Sequence, residues 1–138
     1  MRVVSAGDVF SSVVIEPGGM MVKFRFQDLK IWQSAIEIAN ELFDIADELD
    51  NRKLFRWAEQ LRASGMSMSN NIAEGSGSSS KKDFRNYLNI ARRSTFENAN
   101  VLILLNMRRI IDQQQLSELL IRLDLLCRQI TSFRKSLK

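Results

Sequence analysis

Leu116, Leu123, Ile130 and Leu137 recur every seven residues, with Leu119, Leu126 and Phe133 between them. Apolar spacing that alternates between three and four marks one face of an α-helix turned towards a core. The same spacing recurs upstream at Phe84, Leu88, Ala91, Thr95, Asn98, Leu102 and Leu105, and at Leu54, Trp57, Leu61, Met68 and Ile72. It appears again at Leu29, Trp32, Ile36, Ala39, Phe43 and Ala46. A lone proline, Pro17, and six glycines leave these stretches almost uninterrupted, which favours helices over a turn-rich sheet. With 138 residues the chain can bury one substantial core. The pattern predicts an all-α fold, an antiparallel up-down four-helix bundle.

The helix ends are predicted from capping chemistry. Asp28 reads as the N-cap of a first helix running to about Leu49, and Asp50-Asn51 as the first turn. The second helix spans about Arg52 to Glu74, with Gly75 as the left-handed residue that closes it. A Gly/Ser loop reaches Ser80, which forms a capping box with Asp83 at the start of a third helix ending near Ile110. Asp112 and Gln115 cap the fourth. Residues 1–22 hold Gly7, Pro17, Gly18 and Gly19 and show no helical period. They read as a flexible tail, or an extension ahead of an internal start at Met20 or Met21, with a short β-like piece from Val9 to Ile15 as the structured alternative. The bundle domain is then 23–138.

The first helix carries more apolar surface than one seam needs. Ile31, Ile38 and Ile45 form a second series beside the first and, with Ala35 and Leu42, widen the apolar arc to about 160° at roughly 100° per residue. An uncovered stripe of this kind invites a partner. Ile31, Ile38 and Ile45 are therefore expected at a homo-oligomer interface, with Ile121 and Leu125 of the last helix as companions. Glu37, Glu41, Asp44 and Glu48 lie opposite and read as a solvated stripe.

Composition removes most enzymatic chemistry. There is no histidine, so neither Ser-His-Asp nor Cys-His catalysis can be assembled, nor a Glu-x-x-His di-iron site. Cys127 is the lone cysteine, which excludes an intrachain disulfide and metal sites built on several thiolates. GSGSS lacks the lysine of a phosphate-binding loop and follows no strand. No carboxylate pair stands out. The chain reads as a non-enzyme without metal or cofactor. No apolar run approaches the ~20 residues of a membrane span, so the expected location is cytoplasmic.

Charge is unevenly spread. Residues 1–50 carry a net −5, residues 51–80 a net +2, and residues 81–138 a net +7. On the third helix Lys81, Arg85 and Arg92 follow one edge of the seam, with Lys82 and Arg93 further out. On the fourth, Arg128 and Lys135 lie seven apart on the outer face, flanked by Arg122 and Arg134. Such a surface suits phosphate binding, although a solvated face would look the same. No aromatic residues interleave with the cations in a way that supports base readout, so binding is expected to be largely independent of sequence.

One stretch departs from the apolar pattern. In "QLRASGMSMSNNIAEG" the second helix turns polar at Ser67, Ser69, Asn70 and Asn71 before stopping. Buried polar groups without partners cost about 1–3 kcal/mol each. Asn71 and Glu74, with Ser94 and Glu97 on the third helix, therefore read as a hydrogen-bonded network that fixes helix register. Direct contact of Asn71 or Glu74 with a partner, or incidental solvent exposure, is the alternative. Together with "FQDLKIWQSAIEIANELF" and "DFRNYLNIARRSTFE", this stretch resembles the 23S ribosomal RNA intervening-sequence proteins over about residues 24–126. Asn71-Ile72-Ala73-Glu74-Gly75, followed by Phe84, Leu88, Ile90 and Ala91, is the most specific part. Ser69 stands where the family commonly has proline, and Arg93 where it commonly has glycine.

The resemblance implies an up-down bundle that assembles as a ring, typically a pentamer. It also implies kinship with the accessory variability protein of diversity-generating retroelements, a basic ring that engages nucleic acid and a reverse transcriptase. Family genes within ribosomal RNA insertions suggest an RNA link. Two readings follow: a homo-oligomeric protein that binds RNA or DNA, or a protein–protein adaptor with no nucleic-acid role.

Overall fold

The computed structural model describes residues 21–138; the expectations for the preceding segment lie outside them. Four helices account for nearly all of the described chain: α1 (Lys30–Asn51), α2 (Phe55–Ser76), α3 (Lys81–Met107) and α4 (Gln113–Ser136). No strand occurs among the described residues. Gln60 meets Glu97 near one end of the α2–α3 contact, and Gly75 meets Tyr87 and Phe84 near the other. Along α3 and α4, Arg85 meets Leu137 and Arg92 meets Thr131, while Thr95 and Ala99 share a groove with Cys127 and Leu120. Across α1 and α2, Asp50 meets Arg62 and Leu42 meets Gly65, and across α1 and α4, Glu41 pairs with Arg122 while Ile31 and Phe133 line one hollow. Neighbouring helices thus run in opposite directions and enclose one core, the arrangement that short connections impose.

The predicted cap of α1 is corrected. Asp28 ends a 3₁₀ turn, Arg25–Asp28, and Leu29 occupies the N-cap. The Asp28 carboxylate is drawn to Lys23 at 2.6 Å. Gln27 meanwhile accepts from the Phe24 amide at 2.8 Å and closes the turn. The two downstream caps form as expected. Ser80 Oγ accepts from the Asp83 amide at 3.1 Å, and Asp112 Oδ1 accepts from the Gln115 amide at 2.8 Å.

The packed face of α1 also differs from the expected one. Ile31, Ile38 and Ile45 are 5%, 1% and 5% exposed within this chain, alongside Ala35, Leu42 and Leu49. Of the expected seam, Ala39 and Ala46 are buried, whereas Trp32, Ile36 and Phe43 are only half-buried. The isoleucine series is the seam itself, so it forms no uncovered stripe. Large aliphatic side chains at three–four spacing fill the space between α2 and α4, and the bulkier aromatics sit at its margin.

Asp50 and Asn51 belong to α1, and the turn follows at Arg52–Leu54. Lys53 has φ 62°, its amide donates to Asp50 O at 2.9 Å, and the Leu54 amide donates to Leu49 O at 2.8 Å. The same pattern ends α3: Arg109 has φ 62°, and the Arg109 and Ile110 amides donate to Asn106 O and Leu105 O, each at 2.9 Å. Both are Schellman closures, with an apolar residue just beyond the turn. Arg62 ties the α1–α2 end by reaching Asp50 at 2.7 Å and Asp47 at 2.6 Å. Those bonds, to Asp50 first and Asp47 second, hold its pKa above the ordinary arginine value.

Candidate nucleic-acid interface

The polar stretch of α2 faces α3. Ser64 and Gly75 are buried and touch Asn98, Phe84 and Tyr87 of α3, so small residues let the two backbones approach closely. Asn98 is fully buried and donates to Ser64 O and Ser94 O, both at 2.9 Å, while its Oδ1 accepts from Ser64 Oγ at 2.7 Å. Ser67 and Ser94 hydroxyls lie 2.8 Å apart, and Ser94 Oγ also reaches Ile90 O. Asn71 joins from one turn away, donating to Ser67 O at 2.7 Å and Ser67 Oγ at 3.1 Å.

Of the expected network residues, Asn71 and Ser94 take part. Glu97 sits at the exposed rim, accepting from Gln60 at 2.8 Å. Glu74 is exposed, and its carboxylate enters no hydrogen bond or ion pair among the described residues, so its side chain does not set register. Asn98 and Ser64 are the centre of the network. Asn98 was visible as a polar residue at a core position of the third helix. Ser64 gave no such signal, because small residues fit either side of a helix.

Gly75 is corrected as well. It lies inside α2, and the helix closes at Gly77, whose φ of −84° is right-handed. A Cβ at Gly75 would stand 2.7 Å from Tyr87 Cβ and 2.8 Å from Phe84 Cδ1. The glycine is there for close approach. Ser69, at the position where proline was expected, is buried and donates from Oγ to Met66 O, and α2 continues through it. Arg93 is exposed on α3, so no close approach within this chain occurs at that position.

The basic residues divide into ties and free cations. Arg85 donates to Leu137 O, Lys81 to Lys138 O at 3.1 Å, and Arg134 Nε to Arg85 O at 3.0 Å. Cations therefore sit at the carbonyl end of α4, where the helix dipole favours them. Arg92 Nε donates to Thr131 Oγ1 at 3.1 Å. Lys82, Arg93 and Lys135 are exposed. Arg128 pairs with Asp124 at 3.0 Å, which partly neutralises a residue expected to meet phosphate.

Because the helices alternate in direction, the start of α3 and the end of α4 share an end of the bundle with the start of α1. Arg25 lines a hollow with Lys81 there, and Lys30 lines another with Arg128 and Phe133. Arg25 and Lys30 were missed because their third of the sequence is acidic overall; the predicted topology was the signal that could have placed them. None of Arg25, Lys30, Lys81, Lys82, Arg85, Arg134, Lys135 or Lys138 enters an ion pair among the described residues. The acids of α1 are largely engaged elsewhere: Asp47 and Asp50 with Arg62, Glu48 with Arg52, and Glu41 with Arg122. Phe96, which went unremarked in the sequence, is exposed beside Arg92, whose guanidinium carbon lies 5.7 Å from the ring centroid.

The sequence profile of the family described as 23S rRNA-intervening sequence protein matches residues 27–132, the whole bundle up to the last turn of α4. This chain belongs to that family. A similar fold is seen in a crystal structure of a protein of unknown function, assigned to the S23 ribosomal protein family, from Bacteroides thetaiotaomicron VPI-5482. It is 27% identical with a TM-score of 0.72, and the match covers 76% of this chain and 98% of that one. No functionally curated protein matches the sequence. The match spans all four helices and takes in the Asn71–Gly75 stretch. No described helix is long and apolar enough to cross a membrane.

Proposed function

We propose that this chain is a non-enzymatic cytoplasmic protein that assembles with copies of itself and binds RNA or DNA through phosphate contacts. The observation that carries the reading is the set of cations at one end of the bundle with no carboxylate partner. Cations outnumber the exposed acids Glu74 and Asp83 at this end, and such an excess of positive charge attracts a polyanion and releases its counterions on binding. The family's name points to RNA as the first ligand to try. Self-assembly would repeat the cationic end around the particle and multiply its affinity.

The rival reading is an adaptor whose cationic end meets an acidic protein. Salt titration separates the two. Binding of unrelated RNA and DNA sequences should weaken along a straight line of log K against log salt, with a slope of roughly 0.7–0.9 per phosphate contacted. Lys82→Gln, Arg93→Gln and Lys135→Gln are the substitutions to combine, because these side chains hold no other helix in place. Arg85 and Lys81 are less suitable, since both tie down the end of α4. The triple variant should flatten the slope by about two to three while keeping its helical circular dichroism. Absence of binding even at about 50 mM salt would leave only the adaptor.

A further inference from the structure

Phe96 is 62% exposed on α3, four residues after Arg92 and three after Arg93. An exposed phenyl ring among cations is not needed by the bundle core, which α3 serves with Leu88, Ala91, Leu102 and Leu105. Its surroundings are ordered. The Arg92 guanidinium is fixed by Thr131, whose own hydroxyl donates to Cys127 O at 2.9 Å, and it stands at cation–π distance from the ring. Beside the ring the α3–α4 groove opens into a hollow of about 210 Å³ floored by Ala99, Leu120 and Leu123. Of the acids nearby, Asp124, which lines the hollow, is paired with Arg128, and Glu97 keeps its charge but is turned to Gln60 on the α2 side. What remains beside Phe96 is a flat apolar face with two cations lacking carboxylate partners among the described residues.

We infer that Phe96 is a stacking platform for an unpaired base of single-stranded nucleic acid, with Arg92 and Arg93 holding the adjoining phosphates. This rests on the phosphate-binding reading above and deepens it. In a duplex the base faces are covered by their neighbours, whereas a single strand can lay one on the ring. Stacking tolerates any base, so it adds affinity without sequence preference. Along α3, Arg85 and Phe96 are about 16 Å apart at 1.5 Å per residue, and a strand held at the cationic end passes the ring.

The test is fluorescence anisotropy with a labelled mixed-sequence single strand and a labelled blunt-ended two-strand duplex. Phe96→Leu should weaken single-strand binding about 5- to 150-fold and leave duplex binding and the salt slope unchanged. Phe96→Trp should restore or strengthen single-strand binding. Phe96 is exposed, so both variants should keep their helical dichroism. Equal loss on both ligands, or no loss on either, overturns stacking while the phosphate reading stands. A change of particle mass in light scattering, without loss of single-strand affinity, would make Phe96 a contact between copies and also overturn it. A wild-type protein that binds neither ligand removes both readings.

Discussion

Gly75 and Gly65 show how one residue type in one helix serves two purposes. At Gly75 the nearest obstacle to a methyl group is Tyr87 Cβ at 2.7 Å, an atom fixed to the α3 backbone. At Gly65 it is Leu42 Cδ1 at 3.3 Å, the far end of a flexible side chain, with other atoms at 3.6 Å or more. Gly75→Ala must therefore push α3 away and should cost about 1–3 kcal/mol of overpacking. Gly65→Ala removes a flexible residue from a helix interior and should be neutral or stabilise by up to about 1 kcal/mol. Urea denaturation of the two variants checks this, and equal midpoints would mean that α2 and α3 pack less closely than described. The sequence revealed Gly75 as part of a motif but misjudged its purpose. A glycine one residue after Glu74 looks like a helix terminator, and only the neighbouring helix shows that it is a spacer.

Helix ends were legible where a side chain does the capping and obscure where the backbone does. Ser80 and Asp112 carry oxygens that bond the third amide after them, and both were read correctly. The turns after α1 and α3 place Lys53 and Arg109 in the left-handed region, and neither residue type signals that conformation. The expected ends were consequently displaced to Asp50-Asn51 and Ile110. A side chain in this region carries strain of about 1 kcal/mol that glycine avoids. Lys53→Gly and Arg109→Gly, made together, should raise stability by about 1–2 kcal/mol, less a few tenths each for the greater freedom of glycine in the unfolded chain. Calorimetry should then show a melting temperature several degrees higher. A lower one would mean that the lysine and arginine side chains contribute more than their backbone strain removes. The seam of α1 was misread for a different reason. Two apolar series run along that helix, and periodicity alone does not rank them; burial of the isoleucines over Trp32 and Phe43 follows from the shape of the space that α2 and α4 leave.

At the scale of the molecule, the four-helix bundle followed from apolar spacing, but the cationic end needed the fold, because it gathers Arg25 and Lys30 with residues 81–138. The oligomer expectation changes most. Ile38 is 1% exposed, so Ile38→Glu would bury an unpaired carboxylate in the core and should unfold the chain. It therefore reports on folding and says nothing about assembly. Ile121 and Leu125 are 66% and 54% exposed, one turn apart on the side of α4 away from Leu119, Leu123 and Leu126. Glutamate at both positions meets water in the isolated chain and should change stability by no more than about 0.5 kcal/mol per site. If copies meet through this stripe, the same charges would be buried against one another and drive them apart. Ile121→Glu with Leu125→Glu should then give a smaller particle in light scattering at micromolar concentration, with the helical circular dichroism of the wild type. A double variant of unchanged mass places any assembly on another face, and a wild-type protein that is monomeric under the same conditions removes self-assembly and leaves one cationic end per particle to bind a polyanion alone.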